Sequence, residues 1–487
     1  MTKGITVKKA ENFSEWYTQI CGETGAQLVD LRYDVQGFLV HRPWSMQAFK
    51  KIYEFFEEEV EKDGHEPMLF PTIIPEEHLL KEKEHAGFTP DVYWVETAGT
   101  KKMDKRWALR PTGETQIYPI YHYWIRSYKD LPFKGYQSRI TTFRNEMTTR
   151  PFLRGREFMF FETHNVYETH EQAKEQIKKD LEIMQKVIRD KLKIPFLFLQ
   201  RPKWDVFKGA NETFTSDSIL PDGKRIQVSS THDLGTNFSK AFDIKFTGRD
   251  SKEHYAYQTC FGPGIWRIFG TLIAIHGDDQ GLMLPFCVAP LQIVIVPILF
   301  SKDEKQNNAI LKECEKLLND LKDYKVSLDL SDRSAGFKFN EWEMKGVPIR
   351  IELGPRDLEK KQATVSLRTS KEKLNIKLTD LKKKIPELAE LNDKKLEDTA
   401  NKYFKGNIKD ASTLSEIKKI IETHRGFVRT PFCSVAMEGK TCADKLKAET
   451  GGVDVCGYLF EKQEKPTGNC PVCKKKATIV VYVAKSV

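Results

Sequence analysis

Between Trp44 and Lys62 the apolar residues Met46, Phe49, Ile52, Phe55, Phe56 and Val60 recur at close to helical spacing, with charged residues between them. That spacing predicts an amphipathic helix with one buried face, ended by Asp63 and Gly64. The apolar run MLFPTIIP that follows predicts a strand stopped by Pro71 and Pro75. Helical period returns from Glu171 to Lys191, where Ile177, Leu181, Met184, Val187 and Ile188 share a side. GREFMFFETHNV and RIQVSSTHDLG read instead as strands that turn polar side chains into a cleft. Over residues 1–288 hairpins and long returns replace any regular strand–helix–strand alternation. An antiparallel sheet flanked by helices is therefore expected, an α+β domain.

A different rhythm begins near residue 289. The strand LQIVIVPILF, a helix over Lys305 to Leu321, the strand YKVSLDL, a helix around Phe339 to Lys345 and the strand PIRIELG follow in turn. Residues 289–385 thus predict an α/β three-layer domain with a mostly parallel sheet. Residues 386–487 open with a lysine-rich helix and end in cysteine-bearing strands, a small α+β domain. A chain of 487 residues needs more than one core. The longest apolar stretch, Phe286 to Phe300, contains Pro290 and Pro297 and falls short of the roughly 20 residues that span a bilayer. No membrane segment is expected. The opening MTKGITVKKAENF lacks the apolar core of a secretory signal, so a cytoplasmic protein is expected.

Composition adds less. Hydrophobic residues at 40% suffice for globular cores and exclude a mainly disordered chain. Seventy-eight Lys and Arg against 69 Asp and Glu give +9, a balance that permits a polyanionic partner without requiring one. Cysteine is more telling. There are nine, an odd number, and five fall after residue 430. Cys470 and Cys473 form a C-x2-C pair, whereas eight residues separate Cys433 from Cys442. The pattern suits a reducing compartment with a local zinc site better than a disulfide framework. Cys456 is an alternative ligand.

The richest chemistry lies in FRNE, residues 143–146, and LRGREFMFFETH, residues 153–164. Arg144 and Arg154 come from a strand–loop–strand hairpin, with Arg156 beside them. A guanidinium fork suits phosphate and carboxylate oxygens at once. Glu146 can accept from an exocyclic adenine amine, and Phe158 can stack on a purine. The same residues, taken alone, also describe a surface hairpin with ordinary salt bridges.

FRNE and its arginine-rich return strand resemble motif 2 of the class II aminoacyl-tRNA synthetases. MLFPTIIP resembles their motif 1, and GPGIWRIFGTLIAIHGDDQGL, with Arg267 at the start of a helix, their motif 3. LRPTGET at 109–115 is similar to the proline-binding loop of prolyl-tRNA synthetases, and GVPIRIELGPRDLEKK at 346–361 to their anticodon-binding domain. About ninety residues separate His164 from Gln258, too few for the editing insertion of bacterial-type members, so the archaeal/eukaryotic type is implied.

The resemblance implies a class II catalytic domain over 1–288, an anticodon-binding α/β domain over 289–385 and a zinc-type C-terminal domain over 386–487. Such an enzyme activates L-proline with ATP and Mg2+ and esterifies tRNA(Pro), acting as a homodimer. Arg144 and Arg267 would be the catalytic arginines. ATP would meet Arg144, Glu146, Arg154, Phe158, Gln227, Ser230 and Arg267. Proline would meet Thr112, Glu114, Arg144, Phe160, Glu162, His164 and His232. Anticodon bases would meet Lys338, Glu341, Arg350 and Arg356, and structural Zn2+ would take Cys433, Cys442, Cys470 and Cys473. Alanine and cysteine should be slowly misactivated, because small apolar differences are worth only about 1–3 kcal/mol. Gly113 stands where the family usually carries serine, and Val487 where many members end in tyrosine. Sister synthetases of threonyl or glycyl type and a catalytically silent paralogue are the rival readings. The threonyl type would need a Cys/His/His zinc set in the pocket, which the sequence does not display.

Overall fold

The computed structural model describes residues 4–80, 91–300 and 303–487. Helix α1 (Pro43–Lys62) starts at a proline, whose missing N–H costs nothing at that position, and buries Phe49, Ile52, Phe55, Phe56 and Val60. Met46, in the first turn, stays exposed. The run MLFPTIIP is not one strand. β1 (Glu66–Pro67) pairs at the edge of the main sheet, while Ile73–Pro75 joins a separate three-stranded sheet with Trp94–Ala98 and Lys101–Leu109. The switch falls where Pro71 lacks an N–H and the Phe70 N–H is taken by the Gln137 side chain at 2.7 Å. Helix α2 (Glu114–Trp124) follows.

The catalytic half is built on β2 (Phe133–Phe143), β3 (Glu157–Tyr167), helix α3 (His170–Met184), β4 (Leu197–Gln200), β5 (Glu212–Ile219), β6 (Arg225–Gly235), β7 (Tyr257–Pro263) and helix α4 (Ile265–His276). Its order is β4-β5-β6-β7-β3-β2-β1, antiparallel except for the last pair. Helices α1 and α4 pack together on one face, with Phe49 ring-to-ring against Phe269 at 4.8 Å.

The next domain runs β8 (Ile293–Pro297), α5 (Glu304–Asp320), β9 (Val326–Leu328), α6 (Ala335–Met344), β10 (Ile349–Leu353), β11 (Gln362–Leu367) and β12 (Lys373–Lys377). The sheet is mixed, not mostly parallel. β9-β8-β10 are parallel, and β11 and β12 return antiparallel beside β10. The lysine-rich β12 is largely exposed, so only weak alternation marked it in the sequence.

Helix α7 (Leu381–Gly406) leads to β13 (Ile408–Asp410), β14 (Phe427–Phe432), β15 (Val453–Leu459) and β16 (Ile479–Lys485). These strands do not form a sheet of their own. β15 pairs with β4 through Tyr458 opposite Gln200 and Leu459 opposite Leu199, giving one 11-stranded sheet.

Asp180, on α3, is buried against this sheet. Its carboxylate accepts from Gln176 at 3.0 Å and from the Thr231 hydroxyl. Burial pushes it up to about 7 despite those bonds. A carboxyl raised in the fold stays protonated between about 3.8 and 7, where the unfolded chain is ionised. Stability therefore falls as pH rises through that window and is lowest above it, by about 4 kcal/mol at most. Asp180→Asn should show its largest gain over the parent above pH 7 and little at pH 4, read as denaturant midpoints. A gain that does not depend on pH would refute the assignment.

Candidate active site

The loop joining β2 to β3 carries Arg144, Glu146 and Arg154, and is closed by the Arg144 N–H donating to the Arg156 carbonyl at 2.9 Å. The loop 109–115 is fastened to it from the other side. Arg110, almost wholly buried, donates from Nε to the Thr141 carbonyl at 2.8 Å, and its own carbonyl accepts from Phe143 N at 3.0 Å. Two segments far apart in function are thereby brought to one rim.

Between them lies a cavity of about 680 Å³. Its walls include Thr112, Glu114, Arg144, Glu146, Phe158, Phe160, Glu162, His164, Gln227, Ser230, His232 and Cys260. Strand period explains a third of this set, since Phe158, Phe160, Glu162 and His164 alternate along β3 and face one way. On β6 the parity breaks. Ser216 pairs with Ser229 and Asp217 with Gln227, so Val228 is an extra residue in a bulge. That bulge lets Gln227 face the same cavity as Ser230 and His232.

One end of the cavity is acidic and narrow. Glu114 accepts from the Thr112 hydroxyl, and from the Cys260 thiol at 3.4 Å. Glu162 accepts from Gln137 Nε2 at 3.0 Å and lies 3.2 Å from His164 Nε2. His164 Nδ1 meets the Tyr118 hydroxyl at 3.0 Å. Burial works to discharge His164, but Glu162 outweighs it and the imidazole titrates above its ordinary value. His232 goes the other way, down to about 3, through burial and the nearby Arg201 and His164. It is neutral at pH 7 and bonds the Thr213 hydroxyl at 2.9 Å.

The other end is cationic. Arg154 and Arg267 stand beside the cavity wall, next to Arg144. Arg154 is 3.4 Å from Glu146, and Arg267 donates to the carbonyls of Leu153 and Gln227. Burial lowers Arg267 to about 10, with Arg144 and Arg154 adding like-charge repulsion. Three guanidiniums that repel one another form a ready site for a polyanion. Val487 reaches this end, its carbonyl accepting from Arg154 Nη1 at 3.2 Å and its N–H donating to the Arg225 carbonyl at 3.2 Å.

Sequence reasoning missed a network in the cavity floor, where Arg201 and Arg225 are part of the lining. Arg201 and Arg225 share Asp217, at 3.3 and 2.8 Å, and Arg201 Nη2 donates to Gln227 Oε1 at 3.0 Å. Arg201 Nη1 also donates to the Cys456 carbonyl at 2.6 Å, so the C-terminal strands help aim Gln227. The only hint was an arginine at the end of an apolar strand.

Gly113 caps α2 without a side chain. A Cβ there would sit 2.4 Å from Glu162 Oε1, inside contact distance of a buried carboxylate. Serine improves on glycine at a helix N-cap by only a few tenths of a kcal/mol. Here Gly113→Ser should instead push Glu162 aside and raise KM for the amino acid about tenfold, with kcat little changed. Kinetics indistinguishable from the parent would show that Glu162 moves freely.

Elsewhere the expected residues divide. Cys433, Cys442, Cys470 and Cys473 place their sulfurs within 4.8 Å of one another, and none is in a disulfide. The wide first gap is taken up by a single turn, Met437–Gly439, and Cys442 lies in the first turn of the helix Lys440–Glu449. Burial acts to raise the Cys473 thiol, but bonds from the Lys475 N–H and the neighbouring thiols bring it to about 7. Cys456 is not part of the cluster. It is buried among Leu199, Phe427 and Tyr482. In the second domain Lys338 is buried on the Asp329 carbonyl, and Arg350 is paired with Glu343 and Glu352. Glu341 pairs with Arg333 at 2.6 Å, and Arg356 is exposed at the start of a short helix.

Comparison with known proteins agrees with this geometry. The tRNA synthetase class II core domain family (G, H, P, S and T) matches residues 93–276, an anticodon binding domain matches 292–388, and the prolyl-tRNA synthetase C-terminal family matches 414–486. A proline–tRNA ligase of Thermofilum pendens is 49% identical, with 99% of each chain covered. One from Pyrococcus horikoshii is 39% identical over 98% of each. Among solved structures, Giardia lamblia prolyl-tRNA synthetase in complex with prolyl-adenylate superposes with a TM-score of 0.95 at 33% identity, covering 99% of this chain and 100% of the other. A cavity cationic at one end and acidic at the other, together with full-length similarity at this level, places the chain in the prolyl-tRNA synthetase family of class II aminoacyl-tRNA synthetases.

Proposed function

We propose that the protein activates L-proline with ATP, releasing diphosphate, and transfers the prolyl group from the adenylate to the 3′-terminal adenosine of tRNA(Pro). The observation that carries the reading is one cavity with Arg144 at one end, backed by Arg154 and Arg267, and a Glu114–Glu162–His164 pocket at the other. Relatives with this activity, and a solved relative holding prolyl-adenylate, support it.

Arg144 lies where it can hold both the proline carboxylate and the α-phosphate for in-line attack. Arg154 and Arg267 receive the outer phosphates, with the remaining charge neutralised by Mg2+ carried in with ATP. Phe158 stacks on adenine and Glu146 accepts from its amine, while Gln227 and Ser230 face the ribose and phosphates. The cationic imino group of proline meets Glu114 and Thr112, with Phe160 walling the ring and Glu162, His164 and neutral His232 closing the pocket. No side chain acts as a covalent nucleophile, so rate comes from orientation and charge stabilisation.

The remaining assignments rest on the same reading. Cys433, Cys442, Cys470 and Cys473 hold a structural zinc, for which their free, clustered sulfurs are a fitting donor set. Anticodon contact falls first to exposed Arg356, with Glu341 in reach, while Lys338 and Arg350 hold the sheet edge behind them. The protomers pair symmetrically through the segment around Leu69, which is 81% exposed near the exposed Tyr123 and Trp124. The protein works in the cytoplasm; among the described residues no helix is long and apolar enough to cross a membrane.

ATP–pyrophosphate exchange across a panel of amino acids tests the function. Proline-dependent exchange is expected. Exchange driven by threonine or glycine, or by no amino acid, would overturn it.

A further inference from the structure

The acidic end of the cavity holds a second set of donors with metal-ligand character. Glu114 comes from the first turn of α2, His164 from β3 and Cys260 from β7. Each is more than nine-tenths buried, and one ligand atom from each lies within 4.8 Å of the others. Tetrahedral zinc bonds of about 2.0–2.3 Å put ligand atoms roughly 3.3–3.8 Å apart, so the three need to close by only about an ångström.

Their neighbours orient them. The Tyr118 hydroxyl engages His164 Nδ1, and the Thr112 hydroxyl engages one oxygen of Glu114. His164 Nε2 is left buried with no hydrogen-bond partner, although Glu162 Oε2 stands 3.2 Å off to its side. A buried imidazole nitrogen with no well-aligned hydrogen bond, only the Glu162 carboxylate to its side, and with a thiol and the Glu114 carboxylate in reach, fits an open three-ligand site better than a satisfied core. The nitrogen–sulfur–oxygen donor set selects zinc over the magnesium or calcium that all-oxygen sites prefer.

We propose that Glu114, His164 and Cys260 bind Zn2+ when the amino-acid pocket is empty, and that the metal and the amino acid exclude each other. Binding forms three metal–ligand bonds and releases to solvent the Cys260 thiol proton and, from the charged imidazole, the His164 Nε2 proton, leaving a fourth position open to water from the cavity. The exclusion rests on the proline reading above, in which the imino cation takes the same Glu114 carboxylate. The metal site itself does not.

Cobalt titration of the full-length protein provides the test, followed through thiolate-to-cobalt charge-transfer absorbance. With the four-cysteine cluster already holding its zinc, one increment is expected; it is displaced by saturating L-proline and is missing in Cys260→Ser. In exchange assays micromolar Zn2+ should raise KM for proline at least tenfold without changing kcat or KM for ATP, and Cys260→Ser should resist it. A band identical in parent and Cys260→Ser would overturn the site, as would zinc inhibition that extra proline cannot relieve. The displacement by proline is read on the unmutated chain, so a misfolded variant does not blunt the test. If no amino acid drives exchange yet the Cys260-dependent increment is present, the metal site stands and the proline reading falls.

Discussion

Arg144→Ala should lose proline-dependent ATP–pyrophosphate exchange by at least a factor of about 10² to 10³, the cost of removing one charge-stabilising donor from a preorganised site. The loss should fall on kcat and on KM for both ATP and proline, because one guanidinium touches both substrates. Folding should be unaffected. Arg144 is exposed at the cavity rim, and the loop is held by its main chain bonding to Arg156, not by its side chain. Arg144→Lys should recover only part of the rate, since an ammonium keeps the charge but not the fork that spans a carboxylate and a phosphate. Exchange in the alanine variant within a few-fold of the parent, at an unchanged melting temperature, would dismiss Arg144 from the chemistry. Arg267→Ala is the less clean experiment, because its half-buried side chain also ties the Leu153 and Gln227 carbonyls together.

The second large effect is expected from the cysteine cluster. Cys470 is fully buried and its sulfur stands with those of Cys433, Cys442 and Cys473. Cys470→Ser should strip zinc from the purified protein and destabilise the surrounding strands by on the order of 4 kcal/mol, as loss of a structural metal does. Elemental analysis reads the first, and hydrogen exchange across β14 to β16 the second. Activity should suffer too, because Arg201 is fixed by the Cys456 carbonyl on one side and aims Gln227 on the other. A parent protein that contains no zinc, or a variant with native exchange protection, would contradict this.

The sequence made the site more legible than the framework beneath it. Arg144, Glu162 and His164 sit in motifs whose residue types have few other uses at that spacing, and the structure brings them to one cavity. Gln227 and Ser230 were within reach only through resemblance, because the bulge at Val228 breaks the alternation by which a strand face is normally read. Arg110 and Arg201 escaped altogether. Each is a charged residue turned inward, and burial of a charge is decided by partners distant in the chain, here Thr141 and Asp217. Lys338 and Arg350 carried the opposite lesson. A cation near a sheet edge looked available, and the structure engages both inside the domain. In the second domain the exposed β12 carried too little hydrophobic pattern to announce the antiparallel return.

The pairing of β15 with β4 has a practical consequence for anyone trimming this protein. Deleting residues beyond α7 would leave Leu197–Gln200 with a bare row of amide and carbonyl groups on a short apolar segment, LFLQ, in the middle of what had been an uninterrupted ladder. Unpaired edges of that kind recruit other chains. A shortened form is therefore expected to clump before its catalytic competence can be assayed, and an insoluble pellet from it would say nothing about whether the missing part touches tRNA.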